Sequence, residues 1–514
     1  LSLLFYAFLP AEWRSFVSDL FHQKTDYGFF LILVRIFLLA NISVLLLRAL
    51  LYIFTLGMRT EILLAGSFAA VIIVGTLLFQ LPRVSSHPDA EISLVDGFFT
   101  ATSAVCVTGL AVRDTGSDFT HLGHLIIFGL FQIGGLGIVT FIAFLSVFSE
   151  RSLPVPQMVA FRSIINAPAA GNLKRRLLGI ILVTLSVEML GAALLFVFTP
   201  EMSDPFYRLK WGVFHSVSAF CNAGFSLESD GLEGFAGNHG VVITIMGLIV
   251  FGGLGFLVIP EVISFFFIAI HRLPVVLLPR RRRFVNLSPM PRLSVQTRLS
   301  LVVTAFLIFG GTLGFWLLEH AHILQGRPTF TVITDSFFQS ITTRTAGFNT
   351  LPIGELQQST LILIIALMIV GGSPVSTAGG IKTVTFGLLV LALRSLLFQK
   401  QRIEAFGRTL APRVLFTALN VFILYMVTGG VCLFLLTLTD PHLALRDTLF
   451  ETFSALGTVG LSTGITPGLS TGGKLTLCMA MFVGRVGPIA LVLSVFQSRD
   501  RVEYEFPTED VVVG

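Results

Sequence analysis

The chain has 514 residues, of which 54% are hydrophobic and only 12% charged, with a net charge of +5 and a mean hydropathy of +0.87. A soluble domain is roughly a quarter charged, so this composition excludes a soluble enzyme, a disordered chain and a disulfide-stapled secreted scaffold. Apolar runs of about 20 residues recur, each long enough to cross a bilayer as a helix, and the sequence predicts an all-α, polytopic membrane protein.

Taken in order, an extra N-terminal helical region occupies 1–57, with one apolar run at 29–57. Paired runs follow at 62–82 and 122–148, 177–199 and 241–270, 299–318 and 360–398, and 413–438 and 474–497. Between the members of each pair lies a shorter amphipathic stretch ending at a glycine: 98–110, 213–225, 336–348 and 449–461. Aligned on Gly109, Gly224, Gly347 and Gly460, all four carry a phenylalanine ten residues upstream: Phe99, Phe214, Phe337 and Phe450. Three carry a serine six upstream: Ser103, Ser218 and Ser454. A stretch of 12 residues covers roughly 18 Å, about half a membrane. The plan is helix, half-helix, glycine loop, helix, repeated four times. The repeats take 58–160, 161–280, 281–405 and 406–514, the last with a C-terminal tail. Each second run carries a further glycine motif: Gly134-Gly135-Leu136-Gly137, Gly252-Gly253-Leu254-Gly255, Gly371-Gly372 and Gly484-Arg485-Val486-Gly487.

The four cysteines, Cys106, Cys221, Cys432 and Cys478, have no zinc-ligand spacing. Loops 149–177, 271–298 and 394–413 hold 5, 7 and 5 Lys and Arg, whereas the links on the other side together hold 7. The positive-inside bias makes the unit-joining loops cytoplasmic and brings the half-helices in from outside. The run Arg280-Arg281-Arg282-Arg283 reads as a topology anchor or as a docking surface for a partner or anionic lipid.

Bare backbone at mid-membrane depth is tolerated only where it lines a water-filled cavity or is buried in protein. Four glycine loops at equal depth can meet on one axis, where their carbonyls replace the hydration shell of a cation. The alternative, that the glycines only let helices approach, does not explain the fixed phenylalanine. No HExxH, GxSxG, P-loop or paired intramembrane aspartate motif suggests an enzyme, and nothing suggests nucleic acid.

The stretches at 100–110, 131–137, 220–226, 342–350, 371–383, 455–464 and 484–488 together resemble the Trk/Ktr/HKT superfamily of cation transporters, and within it the Ktr-type potassium uptake membrane subunit. The resemblance implies a potassium pathway of four membrane–pore–membrane units in one chain, in a bacterial cytoplasmic (inner) membrane. It places a potassium-selective filter at Val107-Thr108-Gly109, Asn222-Ala223-Gly224, Thr345-Ala346-Gly347 and Thr458-Val459-Gly460. Glycine at all four positions favours potassium, while a sodium-conducting or non-selective transporter of the same fold is the alternative and sodium dependence stays open. The resemblance also implies a gate under the filter, at Gly371, Gly372, Ser373, Pro374, Ser376, Thr377, Ala378, Gly379 and Gly380, with Val375 where relatives often carry glycine. Lys382 and Arg485 join that gate. No cofactor is expected. Partners implied are membrane lipid, a second copy of the chain, and a cytoplasmic ring of RCK-domain nucleotide-binding subunits. Glu188 reads as a satisfied polar helix contact, and Glu451 as a hydrogen-bonding group behind the filter.

Overall fold

The computed structural model describes residues 60–81, 83–86, 92–137, 173–277, 293–400 and 402–495. The N-terminal region 1–57, the arginine run 280–283 and most of the basic loops 149–177 and 271–298 lie outside these residues. Those that are described form fourteen α-helices and one two-stranded hairpin.

Repeat 1 comprises α1 (Thr60–Phe79), the half-helix α2 (Leu94–Val105) and α3 (His121–Leu136). Repeat 2 comprises α4 (Leu173–Phe198), the half-helix α5 (Pro205–Cys221) and α6 (His239–Leu277). Repeat 3 comprises α7 (Val295–Glu319), the half-helix α8 (Thr329–Thr342), α9 (Gln358–Ile369) and α10 (Thr383–Leu397). A hairpin of β1 (Glu404–Ala405) and β2 (Arg408–Thr409) leads to repeat 4: α11 (Pro412–Thr439), the half-helix α12 (Leu445–Gly457), α13 (Thr471–Val486) and α14 (Pro488–Val495).

Local chemistry sets several helix starts. Ser93 accepts the Asp96 N–H at 3.0 Å to begin α2, and Asp204 accepts the Phe206 N–H at 2.9 Å to begin α5, with Pro205 in the first turn. Ser470 accepts the Gly473 N–H at 3.1 Å to begin α13 and is itself held by Asp440, which takes its N–H and hydroxyl at 2.8 Å each.

The repeats close into a ring. In repeats 1, 2 and 4 the half-helix packs against the helices on both sides of it in its own repeat, and in repeat 3 α8 packs on α7. Throughout, the helix after each half-helix packs on the next half-helix: α3 on α5, α6 on α8, α9 on α12, and α13 back on α2. Most of the buried apolar side chains form one cluster that reaches all four repeats, and two smaller clusters join repeats 3 and 4. Exposed Leu, Phe and Val side chains cover the outer helix faces, as lipid-facing helices require.

Two expectations change. The second run is broken not only in repeat 3, where the Gly-Pro-Ser run predicts it, but also at a glycine in repeats 2 and 4, and in repeat 1 its helix ends at a glycine. α3 stops at Gly137 (φ 80°), α6 kinks at Gly255 (φ 81°), α9 stops before the 371–380 loop, and α13 stops at Gly487 (φ 94°). These left-handed glycines end the i to i−4 ladder. Among the described residues, four helices are therefore long and apolar enough to cross a membrane, at Leu178–Phe198, His239–Ile268, Val295–Glu319 and Pro412–Thr439. The half-helices also end before their glycine rather than at it, because the last residues turn away from helical geometry.

The first glycine of each motif has a packing role. Cβ atoms on Gly134, Gly252 and Gly484 would collide with the carbonyls of Val105, Phe220 and Leu456. Each of those residues stands four before its repeat's loop glycine, so the second helix lies directly on the half-helix backbone. Gly484→Ala should cost about 1–3 kcal/mol through overpacking and lower the thermal midpoint in detergent. Gly430→Ala, where a Cβ meets open space, should hold or raise it.

Candidate functional site

Each half-helix ends in a short segment folded the same way. The residue two before the glycine is left-handed in all four repeats: Val107 (φ 58°), Asn222 (φ 58°), Thr345 (φ 70°) and Thr458 (φ 50°). The glycines follow at φ 90°, 71°, 76° and 92°. A non-glycine residue at φ > 0 is uncommon, and four at equivalent positions mark a built geometry. The residue between them donates its N–H backward: Thr108 to Ser103 O at 2.8 Å, Ala223 to Ser218 O at 2.7 Å, Val459 to Ser454 O at 2.8 Å, and Ala346 to Thr342 O at 3.0 Å. The N–H groups are thus consumed inside each repeat.

The recurrent serine has a structural task. Ser218 Oγ donates to Phe225 O at 2.8 Å and Ser454 Oγ to Leu461 O at 2.6 Å, pinning the segment just past the glycine. Ser103 Oγ accepts the Gly109 N–H at 3.1 Å. In repeat 3 the segment is one residue shorter, and Thr342 Oγ1 makes the bond instead, to Phe348 O at 2.5 Å. Its alignment position is five before the glycine, which hides it from a six-residue spacing.

The four glycines then meet face to face. A Cβ on Gly109 would lie 2.6 Å from Ala223 O and 3.0 Å from Gly224 Cα. On Gly224 it would meet Ala346 O at 2.8 Å, and on Gly347 it would meet Val459 O at 2.5 Å. On Gly460 it would collide with Thr108 O, which closes the circle. All four expected triplets therefore come together as one ring of backbone. Above it opens a cavity of about 380 Å³ touching all four glycines, with Arg113, Asp114 and Glu228 among its walls.

Below the ring lies the 371–380 loop. Gly379 packs on the Thr458 side chain and Gly371 on the Thr345 methyl group. A parallel bridge between Val370 and Ile381 closes the loop's base. Ser373 N–H donates to Gly253 O at 2.9 Å, and Phe256 N–H donates to Val375 O at 3.0 Å, so the loop is docked on the kink of α6. Ser373, Thr377 and Ala378 are buried. Val375 is left-handed at φ 57°, a strain that a glycine would relieve. Arg485 donates to Thr377 O, and to Gly134 O at 2.5 Å. Lys382 Nζ donates to Ala378 O at 2.6 Å. Every expected loop residue, with both cations, is thus in one place.

Residues 45–502 match the TrkH family, described as cation transport protein. The chain is 34% identical over 458 residues to Ktr system potassium uptake protein B of Bacillus subtilis, covering 88% of this chain and 96% of that protein. It is 32% identical over 459 residues to the potassium/sodium uptake protein NtpJ of Enterococcus hirae, covering 88% and 96%. The chain belongs to the TrkH family. Its fold is similar to the crystal structure of the potassium transporter TrkH from Vibrio parahaemolyticus, at a TM-score of 0.59 and 18% identity over 92% of this chain and 99% of that one. The family is one of ion transporters rather than enzymes; the composition and repeats anticipated a helical membrane protein with a cation path, and the resemblance anticipated potassium.

Other polar groups brace this TrkH-family site. Arg344 is buried behind the ring, and its guanidinium donates to Gly371 O at 3.2 Å and Thr304 Oγ1 at 3.3 Å, tying α8 to the loop. It is the one Lys or Arg in the four segments between phenylalanine and glycine, a signal available in the sequence. Glu451 accepts from Ser462 Oγ at 2.5 Å, Thr466 Oγ1 at 2.9 Å and Thr463 N–H at 3.0 Å, which fixes the backbone after Gly460. Glu188 accepts both bonds from the Gln132 amide, at 3.1 and 3.2 Å, between repeats 1 and 2. At the seam between repeats 4 and 1, the Lys474 ammonium lies 2.7 Å from one Asp96 oxygen and Arg113 lies 3.4 Å from the other. No spacing rule joins residues so far apart in sequence.

Lys474→Gln should remove a charge-assisted bond from the buried Asp96 and cost about 1.5–3 kcal/mol, read as a lower thermal midpoint. The exchange Asp96→Lys with Lys474→Asp should recover part of it. If Lys474→Gln melts like the parent, the seam does not depend on this pair.

Proposed function

We propose that this protein takes up potassium across the bacterial cytoplasmic membrane, with the four-glycine ring as its selectivity filter. The observation that carries this reading is the closed ring of Gly109, Gly224, Gly347 and Gly460 on the carbonyls of Ala223, Ala346, Val459 and Thr108. The backward N–H bonds leave the carbonyls as the free polar groups of the ring. Carbonyl rings replace the hydration shell of a monovalent cation. The hydroxyls of Thr108 and Thr458 are buried and lack a hydrogen-bond partner among the described residues, so they offer two further oxygens. The names of the Bacillus subtilis and Enterococcus hirae relatives support the substrate, and the second keeps sodium as an alternative cargo.

In this reading the 371–380 loop is the gate. It sits against Thr345 and Thr458 and must move for an ion to pass. Its locks are hydrogen bonds from Arg485, Lys382 and Arg344 to backbone carbonyls. Such bonds are worth about 1.5–3 kcal/mol each, large enough to hold the loop and small enough to exchange. A homodimer regulated by a cytoplasmic RCK-domain ring completes the proposal. It is supported by the Ktr system names of relatives and by the basic sequence of loops 149–177 and 271–298, cytoplasmic by the positive-inside bias.

The test is rubidium and potassium uptake into proteoliposomes holding the purified chain, with and without sodium. Gly109→Ser should lower potassium-over-sodium selectivity by at least about tenfold, because its Cβ meets the Ala223 carbonyl. Selectivity equal to the parent would reject the filter. Arg485→Gln should raise uptake in the absence of any regulatory subunit, and unchanged uptake from a correctly inserted variant would reject the lock. Mass measurement with and without a candidate RCK-domain subunit tests the assembly.

A further inference from the structure

The end of the molecule away from the cavity carries charge that the ring and loop do not use. From Lys382 at the loop's exit, α10 runs 15 residues, roughly 22 Å, to this end. Leu393, Leu396 and Leu397 are 58%, 74% and 72% exposed, and their spacing puts them on one face. Phe398, 68% exposed, extends it. The chain then turns through the β1–β2 hairpin, whose tip holds Phe406, 45% exposed.

Between α10 and the hairpin is a cavity of about 220 Å³, lined by Arg394, Ser395, Lys400, Glu404 and Phe406 among others. Its rim is fixed from within: the buried Ser395 hydroxyl lies 3.1 Å from Lys400 O and 3.2 Å from Arg402 O. Charge here is one-sided. Arg394, Lys400, Arg402, Arg408 and Arg413 face a single acid, Glu404, within 394–413. Lys400 pairs with Glu404 at 2.8 Å, and both side chains are about half exposed. The four arginines have no acidic partner among the described residues. A fifth, Arg298 of α7, lies 6.0 Å from the Phe406 ring.

Surplus cation beside an exposed apolar stripe matches one chemistry, a phosphate attached to acyl chains. Free phosphate would satisfy the arginines and leave the stripe bare. A soluble acidic protein would also leave it bare, and Phe416 and Ile423 of the neighbouring α11 are exposed as well. We propose that this cavity holds the headgroup phosphate of an anionic phospholipid of the cytoplasmic leaflet. Arg394 and Lys400 bind the phosphate, and Leu396, Leu397 and Phe398 meet the acyl chains. The proposal rests on the membrane orientation adopted under the proposed function, but not on the filter or gate. Because α10 starts at the loop, an occupied site steadies the helix from which the loop hangs.

The full chain, purified in a neutral detergent, is titrated with phosphatidylglycerol, phosphatidylcholine and inorganic phosphate, and bound lipid is counted by native mass spectrometry. Phosphatidylglycerol should bind at least about tenfold tighter than phosphatidylcholine, since basic groups near a headgroup each add to affinity. The double variant Arg394→Gln, Lys400→Gln should erase that preference, while Arg446→Gln, on the cavity side, should keep it. Both variants alter exposed side chains, and equal thermal midpoints without added lipid show that they fold. Equal binding of the two lipids, or a double variant that binds like the parent, would overturn the proposal. Inorganic phosphate that competes fully at equal concentration would make this a free-anion site and also overturn it. So would a double variant that keeps its lipid preference but loses a co-purifying soluble subunit. Potassium uptake is read separately in the same variants, so failure of the transport reading leaves the lipid result interpretable.

Discussion

The structure depends on backbone touching backbone where a side chain would otherwise intervene. At the ring, four glycines face four carbonyls of the neighbouring repeats. Behind it, Gly134, Gly252 and Gly484 let the second helices rest on the half-helix carbonyls. The first contact joins repeats and the second lies within one, but both seat the end of the same half-helix, so one cannot be adjusted without the other. The second layer is what keeps the first narrow: a Cβ at Gly484 would push Leu456, and with it Thr458, off the axis. Close packing transmits such displacements because interiors have little free volume. Phe99 and Phe450, fully buried one face away, fill the space behind the half-helices and leave the ring as the part made of backbone alone.

Much of this was legible in the sequence because it repeats. One glycine could mark any turn; four with a phenylalanine upstream mark a shared construction, and the structure brings all four glycines together, although in repeat 3 the fully buried ring is Phe338, nine before the glycine, and Phe337 is half-buried. The breaks in the second helices were half legible. The Gly-Pro-Ser run at 371–380 declared itself, since such residues do not hold a helix. Gly137, Gly255 and Gly487 did not, because a lone glycine inside an apolar run is compatible with a helix, and only the left-handed φ decides it. The serine spacing read correctly in three repeats and missed Thr342, since a one-residue deletion moves a helical side chain around its axis while the hydrogen bond it makes is kept. Asp96 and Lys474 were out of reach for another reason. Their partners come from other repeats, and linear spacing carries no information about those contacts.

The broken helices also explain how cations survive near the centre. An intramembrane arginine needs partners, and an acid is the usual one. Here the partners are carbonyls. A helix that stops leaves its last carbonyls without an internal donor. Gly134 O, in the last turn of α3, goes to Arg485, while Gly371 O, just after α9, goes to Arg344. The loop's own Thr377 O and Ala378 O go to Arg485 and Lys382. Glycine breaks and basic residues therefore belong to one device, in which each supplies what the other lacks. Neutral acceptors leave the positive charge of these side chains uncompensated beside the ring.

A single chain that closes a fourfold ring has one seam unlike the rest. Repeats 1 to 2, 2 to 3 and 3 to 4 are tethered by the chain itself. Repeat 4 meets repeat 1 only by contact, and Asp96 and Lys474 are 378 residues apart. Closing a loop of that length costs on the order of 5 kcal/mol in chain entropy before any contact compensates. Of the two cations on Asp96 only Lys474 crosses the seam, since Arg113 belongs to repeat 1, and at about 1.5–3 kcal/mol that bond cannot carry the closure alone. The packing of α13 on α2 and the approach of Gly460 to Thr108 must supply the remainder. The charged pair then has a different task from the apolar contact beside it. Apolar surfaces slide at little cost, whereas a carboxylate held by an ammonium at 2.7 Å fixes position along the seam. That fixed register sets the height at which the first glycine meets the fourth, and a ring of carbonyls is only as regular as its last join.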